Sequence, residues 1–501
     1  MSVQRRYQQS LNRNQTMLLP PSVEEYVSQQ NTVRAIDAYV GTLNLQSLGF
    51  TNTTAITEVG QPAYNPVALL KLYLYGYLQR TRSSRQLERE TCRNLEVIWL
   101  IEGLRPSYKT IANFRKDNSK ALKAVNRDFL LLCKELDLFG GEEVAVDGSF
   151  FKADASKSGI YTEDSLNKSL VALDKKIERY QKAVEQQDKA DDESGKESLI
   201  EDDQLEEKIK RLQSKQKEKK ALQQGLKDSG QKQISTVDSD ARLLKKRGQT
   251  IAGYNVQIVI DSKHKLIVAE EVTQDGNDSA LLAPMLEKAQ EVLDSKNLMG
   301  LADTGYHNGK QLKACEDQEI IVYVAVPKQA SVAEKQGRFA LKDFHYNAEE
   351  DCYLCPQRNK LLPRKKPQLK EDKKLLIYRS QANVCNSCPL RTQCLSAKAS
   401  TRKIERWEHQ SVVEQNQRRM KENPQTIRQR GALVEHPFGT LKHRAGMHHF
   451  LMRGLEKCAG EFSLMVLGYN FTRVINTLGV DLFRDYCALR QENRGGIVQY
   501  T

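Results

Sequence analysis

The 501-residue chain contains no apolar run approaching the roughly 18 residues of a membrane span, which argues against a transmembrane helix. Its opening residues, "MSVQRRYQQSLNRNQ", carry basic side chains with no apolar core behind them, so they do not read as a secretory signal. No convincing internal repeat occurs. The expected location is cytoplasmic, at the nucleoid. Ten cysteines in that setting start reduced, and clusters among them read as metal ligation or chance before disulfides.

What the chain has is positive charge. Lys and Arg number 77 against 64 Asp and Glu, a formal +13. That excess fits a nucleic-acid partner, because neutralising phosphates releases condensed counterions. Scattered charge on a basic soluble protein accounts for it equally well. The length allows two to four domains with at least one sizeable core.

Residues 1–140 read as helical. Asn65 and Pro66 mark a helix start, and Val67, Leu70, Leu74 and Leu78 recur at helical spacing. Arg82, Arg85, Arg89, Lys109, Arg115 and Lys116 fall on the polar faces of short helices, where they would contact DNA or stay solvated. At 142 the texture changes. "EEVAVDGSFFKADAS" reads as a buried strand, Val144-Ala145-Val146, ending in a turn at Asp147-Gly148. Residues 141–162 and 233–330 form two parts of one core. Between them, 163–232 is nearly all Lys, Glu, Gln and Asp with spaced Leu and Ile, which predicts two long helices folded back as a hairpin and broken at "DDESGKES". "YNVQIVIDSKHKLIVAEEV" reads as a strand hairpin turning at Asp261-Ser262-Lys263, "SALLAPMLEKAQEVL" as a helix, and "LMGLADTGYHNG" and "EIIVYVAVP" as further strands. This order predicts an α/β fold: a mixed sheet with helices packed on it. Residues 331–410 read as a less regular Cys-rich insertion, 411–482 as closing helices of the core, and 483–501 as a polar tail that frays.

Asp147 and Asp303 each follow a short apolar strand, "VAVD" and "GLAD", and precede a glycine-containing turn. Carboxylates at strand ends are aimed by the sheet and suit a hard divalent cation. Turn-starting Asp residues look the same. Asp303-Thr304-Gly305 also matches one loop of an aspartic protease, but Asp147-Gly148-Ser149 has the wrong order, and long charged helices do not suit an all-strand protease. Glu435 is the one acid in "GALVEHPFGTLKHRAGMHHF". With the two Asp residues it would hold two Mg²⁺ roughly 3.5–4 Å apart. Arg428 and Lys442 lie seven residues to either side, two helical turns, and share its face unless Pro437 and Gly439 disturb the helix. His436 adjoins Glu435. His307 reads as a turn cap, and the neighbouring His448 and His449 as hydrogen-bonding or phosphate-contacting groups.

"VAVDGSFFKADAS", "DSDARLLKKRGQTIAGYNVQIVID", "VTQDGNDSALLAP", "LADTGYHNG" and "VEHPFGTLKHRAGMHHFLMRG" occur in that order. Together they resemble a bacterial insertion-sequence transposase of the DDE class, from the helical N-terminal region to about residue 480. The resemblance implies a ribonuclease-H-like core with Asp147, Asp303 and Glu435 as its metal-binding triad, two Mg²⁺ ions (Mn²⁺ substituting), and Lys442 on the transposon-end DNA. Glu435-x6-Lys442 matches the end of the family's Tyr-x2-Arg-x3-Glu-x6-Lys signature. Its Tyr and Arg slots hold Arg428 and Gly431, with Arg430 one position away as a stand-in. The implied partners are double-stranded DNA, as element ends and target, and further copies of the chain, a dimer or more, for synapsis. The N-terminal helices, with Arg82, Arg85, Lys109 and Arg115, would read the terminal repeats. A catalytically inactive, transposase-derived DNA-binding protein and a general ribonuclease-H-like nuclease compete with this reading. The intact carboxylates weigh against the former.

Two Cys-x2-Cys pairs, Cys352 with Cys355 and Cys385 with Cys388, suit a structural Zn²⁺, with Cys394 as an alternate ligand. A metal-free reduced cluster is the competing reading. Cys92, Cys133, Cys315, Cys458 and Cys487 read as isolated buried thiols.

Overall fold

The computed structural model describes residues 22–53, 62–194, 199–246, 248–327, 332–364, 366–370 and 373–498. The chain divides into two compact units, one from Met1–Phe129 with Glu456–Thr501 and one from Leu130–Leu455. The closing helices are therefore shared out differently from the sequence expectation. Those after Glu456 join the N-terminal helices, and the polar end is a helix, Val480–Val498, with Phe483, Cys487 and Arg490 buried.

In the helical unit, the Pro66–Leu78 helix starts as the sequence predicts: Asn65 accepts the Val67 N–H and Pro66 takes the first turn. This helix and Leu455–Leu478 are apolar on nearly every side, which suits a helix buried all round. Tyr39, Phe129, Phe471 and Phe483 fill the centre, with ring centroids 5.1 Å apart for Tyr39–Phe129 and 5.5 Å for Phe129–Phe471. One acid, Glu461, is fully buried on the second of these helices. A charge so placed needs partners. Arg82 and Arg115 supply them at 3.5 and 3.8 Å, and both are themselves buried. These two arginines are thus in the core, not on polar faces; Arg85, Arg89, Lys109 and Lys116 are exposed as expected.

The other unit is built on one mixed sheet. β1 (Glu143–Lys152) is followed by a short ribbon, β2 (Ile160–Thr162) with β3 (Gln233–Ser235), which brackets the charged helices Glu163–Ser194 and Leu199–Ser229. Those helices pack on each other as the hairpin pattern predicts; the first half of the expected break continues the first helix to Ser194, and residues 195–198 lie outside the described residues. β4 (Arg242–Lys246), β5 (Gln249–Asp261), β6 (Ile267–Thr273), β7 (Met299–Ala302) and β8 (Ile321–Val324) complete the sheet. Its order is β4-β5-β1-β7-β8, with β6 also on β5. β1, β5 and β6 pair antiparallel, whereas β1, β7 and β8 pair parallel. The β5–β6 turn falls where the sequence places it. Asp261 fixes the turn by accepting the Lys263 N–H at 3.0 Å, and also accepts those of Gly140 and Gly141.

Residues read as irregular form a second, antiparallel sheet: β9 (His345–Asn347), β10 (Cys352–Leu354), β11 (Lys360–Pro363), β12 (Gln368–Lys370), β13 (Lys373–Arg379) and β14 (Lys403–Trp407). Its strands are short and lysine-rich, which masks their period. Its core is small: Phe344, Tyr353, Leu361, Tyr378 and Ile404.

Candidate active site

β1 and β7 run parallel in register as far as Ala145 and Leu301. β7 then stops at Ala302, while β1 continues to Lys152 against β5. Asp147 and Asp303 each lie two residues beyond that last couple, and Asp303 keeps an extended backbone. Because side chains alternate along a strand, both carboxylates lean to one face of the fork. Asp147 is therefore inside a strand, contrary to the turn expected there. Gly148 is needed for pairing rather than turning, since a Cβ there would overlap Gln257 Nε2 and stand 2.7 Å from Asp278 Oδ1. Asp303 does cap a turn, accepting the Gly305 N–H at 2.8 Å through Oδ1.

The Thr426–Phe438 helix packs on β1 and β7 and delivers Arg430 to this face. Its Nη2 lies 2.6 Å from Asp147 Oδ1 and 3.7 Å from Asp303 Oδ2, so one guanidinium bridges both carboxylates. Side-chain exposure falls from 40% at Asp303 through 22% at Asp147 to 15% at Arg430, leaving the pair open on the Asp303 side. Arg430 Nε is buried without a hydrogen-bond partner. Of the two arginines proposed as stand-ins, Arg430 reaches the carboxylates and Arg428 is exposed.

Glu435, on the same helix, is exposed, and its Oε1 turns back toward Gly431. Among the described residues, no three His, Cys, Asp or Glu side chains are grouped as a bound ion requires. Asp147 and Asp303 fit a divalent cation as a pair of oxygen donors already holding a positive group; Glu435 is not assembled with them. Pro437 lies inside the helix and has no N–H to offer the Leu433 carbonyl. The chain passes into a wider π turn, Gly439–Arg444. The seven-residue face is lost there. Lys442 turns onto β1, donating to Ser149 Oγ at 2.5 Å and the Phe150 carbonyl at 2.7 Å, with its ammonium 4.5 Å from the Phe151 ring centre. His436 is partly buried beside Glu435. His448 and His449 lie on an extended segment against the end of β1, not on a helix.

Sequence reasoning missed Asp278. Asn255 Nδ2 and Gln257 Nε2, on fully buried residues of β5, donate to Asp278 Oδ1 at 2.8 and 2.7 Å. Tyr306 Oη donates to Gln257 Oε1 in turn. A Cβ on Gly305 would meet Asp303 Oδ1 at 3.0 Å and Asp278 Oδ2 at 3.5 Å, so the two carboxylates approach one point at the end of β7. Burial raises the Tyr306 phenol well above its ordinary range, and the charges of Asp278, Asp147 and Asp303 add to this. A signal was present: amides alternating within the apolar "YNVQIVID" require buried acceptors. His307 caps the turn as expected, its backbone N–H donating to the Thr304 carbonyl at 3.2 Å; burial lowers its pKa, and its Nε2 is buried without a hydrogen-bond partner.

Residues 354–475 match the family described as a transposase DDE domain, and residues 21–117 match a transposase domain family (DUF772). Both matches, each over a part of the chain, support an insertion-sequence DDE transposase. The first match includes Glu435, Lys442 and the cysteines from Cys355 to Cys394; Asp147 and Asp303 lie in the unmatched stretch between the two. Neither a curated protein nor a solved structure matches this chain. Among its described residues, no helix is long and apolar enough to cross a membrane.

The described cysteines do not group as the spacing suggested. Cys352 opens β10, whereas Cys355 follows that strand's last residue, Leu354, and begins the turn closed by Asn359. The Cys352 thiol is buried and lies 3.6 Å from Glu350 Oε2. Cys355, Cys385, Cys388 and Cys394 instead line one small void of about 30 Å³. Of the five isolated cysteines, Cys92 is exposed and the other four are buried.

Proposed function

We propose that this transposase cleaves the ends of its element and joins the resulting 3′-OH to target DNA, with Asp147, Asp303 and Glu435 holding divalent ions. The observation that carries the reading is the Asp147–Arg430–Asp303 bridge, in which two oxygen donors on a rigid sheet already enclose a cation. Divalent ions held there would polarise the attacking hydroxyl and stabilise the departing oxygen. The chain's own groups do the positioning. Arg430 offsets the repulsion between the two carboxylates while DNA is absent, and its planar guanidinium suits a phosphate once displaced. Asp278, fixed by Asn255 and Gln257, steadies the end of β7. Lys442, braced on β1 two residues beyond Asp147, adds positive charge for the end DNA. Glu435 completes the set when its exposed carboxylate turns inward on the bound DNA.

The strand order, three antiparallel strands continued by two parallel ones, supports the ribonuclease-H-like reading. Exposed Arg85 and Lys109, within the 21–117 match, support terminal-repeat binding by the helical unit. Synapsis of two ends calls for at least a dimer. The test is Glu435→Gln in a Mg²⁺-dependent nicking assay on a duplex bearing the element's end. Nicking is lost and DNA binding kept; undiminished nicking rules the assignment out. Nicking that ignores the end sequence would favour a general nuclease.

A further inference from the structure

We propose that Cys355, Cys385, Cys388 and Cys394 form a closed, four-thiolate zinc site beside the small sheet, with Cys352 outside it. The inference is independent of the strand-transfer reading, since it concerns how the small sheet is held together. Among the described residues, the core cluster of this sheet has five buried apolar residues, which is little for six short strands. The four thiols surround one void walled also by Phe339, Leu361 and Arg402.

None of the four cysteines lies within a strand. The Cys355 N–H donates to the Asn359 carbonyl at 3.0 Å, and the Asn359 N–H points back at Cys355 Sγ at 3.3 Å. Arg358 adopts φ +60° to close that turn, a conformation that non-glycine residues rarely take. Such an N–H satisfies a thiolate far better than a thiol. Cys385 lies in a short helix, and the Cys388 N–H returns to its carbonyl at 3.4 Å, which places both thiols at the void. Cys394 ends the next helical turn.

The surroundings suit negative sulfur. Arg402 donates Nη1 to the Cys394 carbonyl and Nη2 to the Phe339 carbonyl, both at 3.0 Å, while its Nε is buried without a partner. Ser380 Oγ accepts the Arg402 N–H at 2.8 Å and the Cys385 thiol at 3.0 Å; a Cys385 thiolate would accept the Ser380 proton in return. The sulfurs now ring the void without meeting at one point. An ion at the centre would draw them to about 2.3 Å, each thiol releasing its proton to solvent. Four soft donors with no open position select zinc over Mg²⁺ or Ca²⁺ and make the site structural.

The test is the zinc content of the full chain, purified from zinc-supplemented culture and dialysed. Wild type and Cys352→Ser should each carry about one zinc per chain, and Cys394→Ser well under half of that. Because Cys394→Ser risks misfolding, cobalt-loaded wild type and Cys352→Ser supply a second reading. Both should show the same thiolate-to-cobalt charge-transfer intensity, at the level of four sulfurs. Zinc-free wild-type protein, or loss of one sulfur's intensity in Cys352→Ser, would overturn the proposal.

Discussion

Two arginine–carboxylate clusters in this chain look alike on paper and do opposite things. In the helical unit, Arg82 and Arg115 flank Glu461, and all three are sealed from water. In the sheet unit, Arg430 bridges Asp147 and Asp303, and the cluster stays open at Asp303. The closed cluster neutralises a charge that the fold has already buried, so its partners cannot leave without a large penalty. The open one holds two carboxylates together by a cation that solvent, a metal ion or a phosphate can replace. Exposure, not composition, separates a scaffold ion pair from a site.

The comparison can be broken in three ways. The largest effect is expected from Glu461→Ala, which strands two buried guanidinium groups. Unfolding of the helical unit should become easier by about 3–5 kcal/mol in urea titration. A change within a few tenths would show that the cluster is hydrated. Next comes Asp278→Asn. As a group positioning the open site, Asp278 should lower divalent-ion affinity about 10–100-fold when lost, read by Mn²⁺ titration, with the unfolding midpoint little changed. The smallest effect belongs to Arg430→Gln. In low salt without divalent ions it should cost about 1 kcal/mol, because the facing carboxylates lose their partner, and saturating Mg²⁺ should erase the difference. A deficit that persists in Mg²⁺ would make Arg430 a structural residue like Arg82.

Much of the sheet unit was legible because its strands are apolar runs closed by turn residues, as at "VAVD" and "GLAD". Asp147 and Asp303 emerged from that pattern, and both lie by the Arg430 guanidinium, at 2.6 and 3.7 Å. What the pattern could not give is where β1 ends, since Gly148 is there for close approach to Gln257 and Asp278 and resembles a turn glycine. Arg430 over Arg428 was equally hidden. The choice depends on the angle at which one helix crosses two strands, and helical spacing alone leaves both open. Lys442 was displaced by a π turn that Pro437 precedes but does not specify. Arg82 and Arg115 were misjudged because their partner Glu461 lies more than 340 residues along the chain. The small sheet went unseen because lysines interrupt its strands, so only its cysteines stood out. Cys352, paired with Cys355 by spacing, sits on β10 rather than in the turn that carries Cys355.

The central claim is that Asp147 and Asp303 are metal-binding carboxylates rather than an ion pair with Arg430. Asp303→Cys tests it most directly, because a thiolate is a poor ligand for Mg²⁺ and a better one for Mn²⁺. The account predicts that this variant fails to nick an end-bearing duplex in Mg²⁺ and regains nicking in Mn²⁺. A folded variant as active as wild type in Mg²⁺, or equally inactive with both ions, would contradict it.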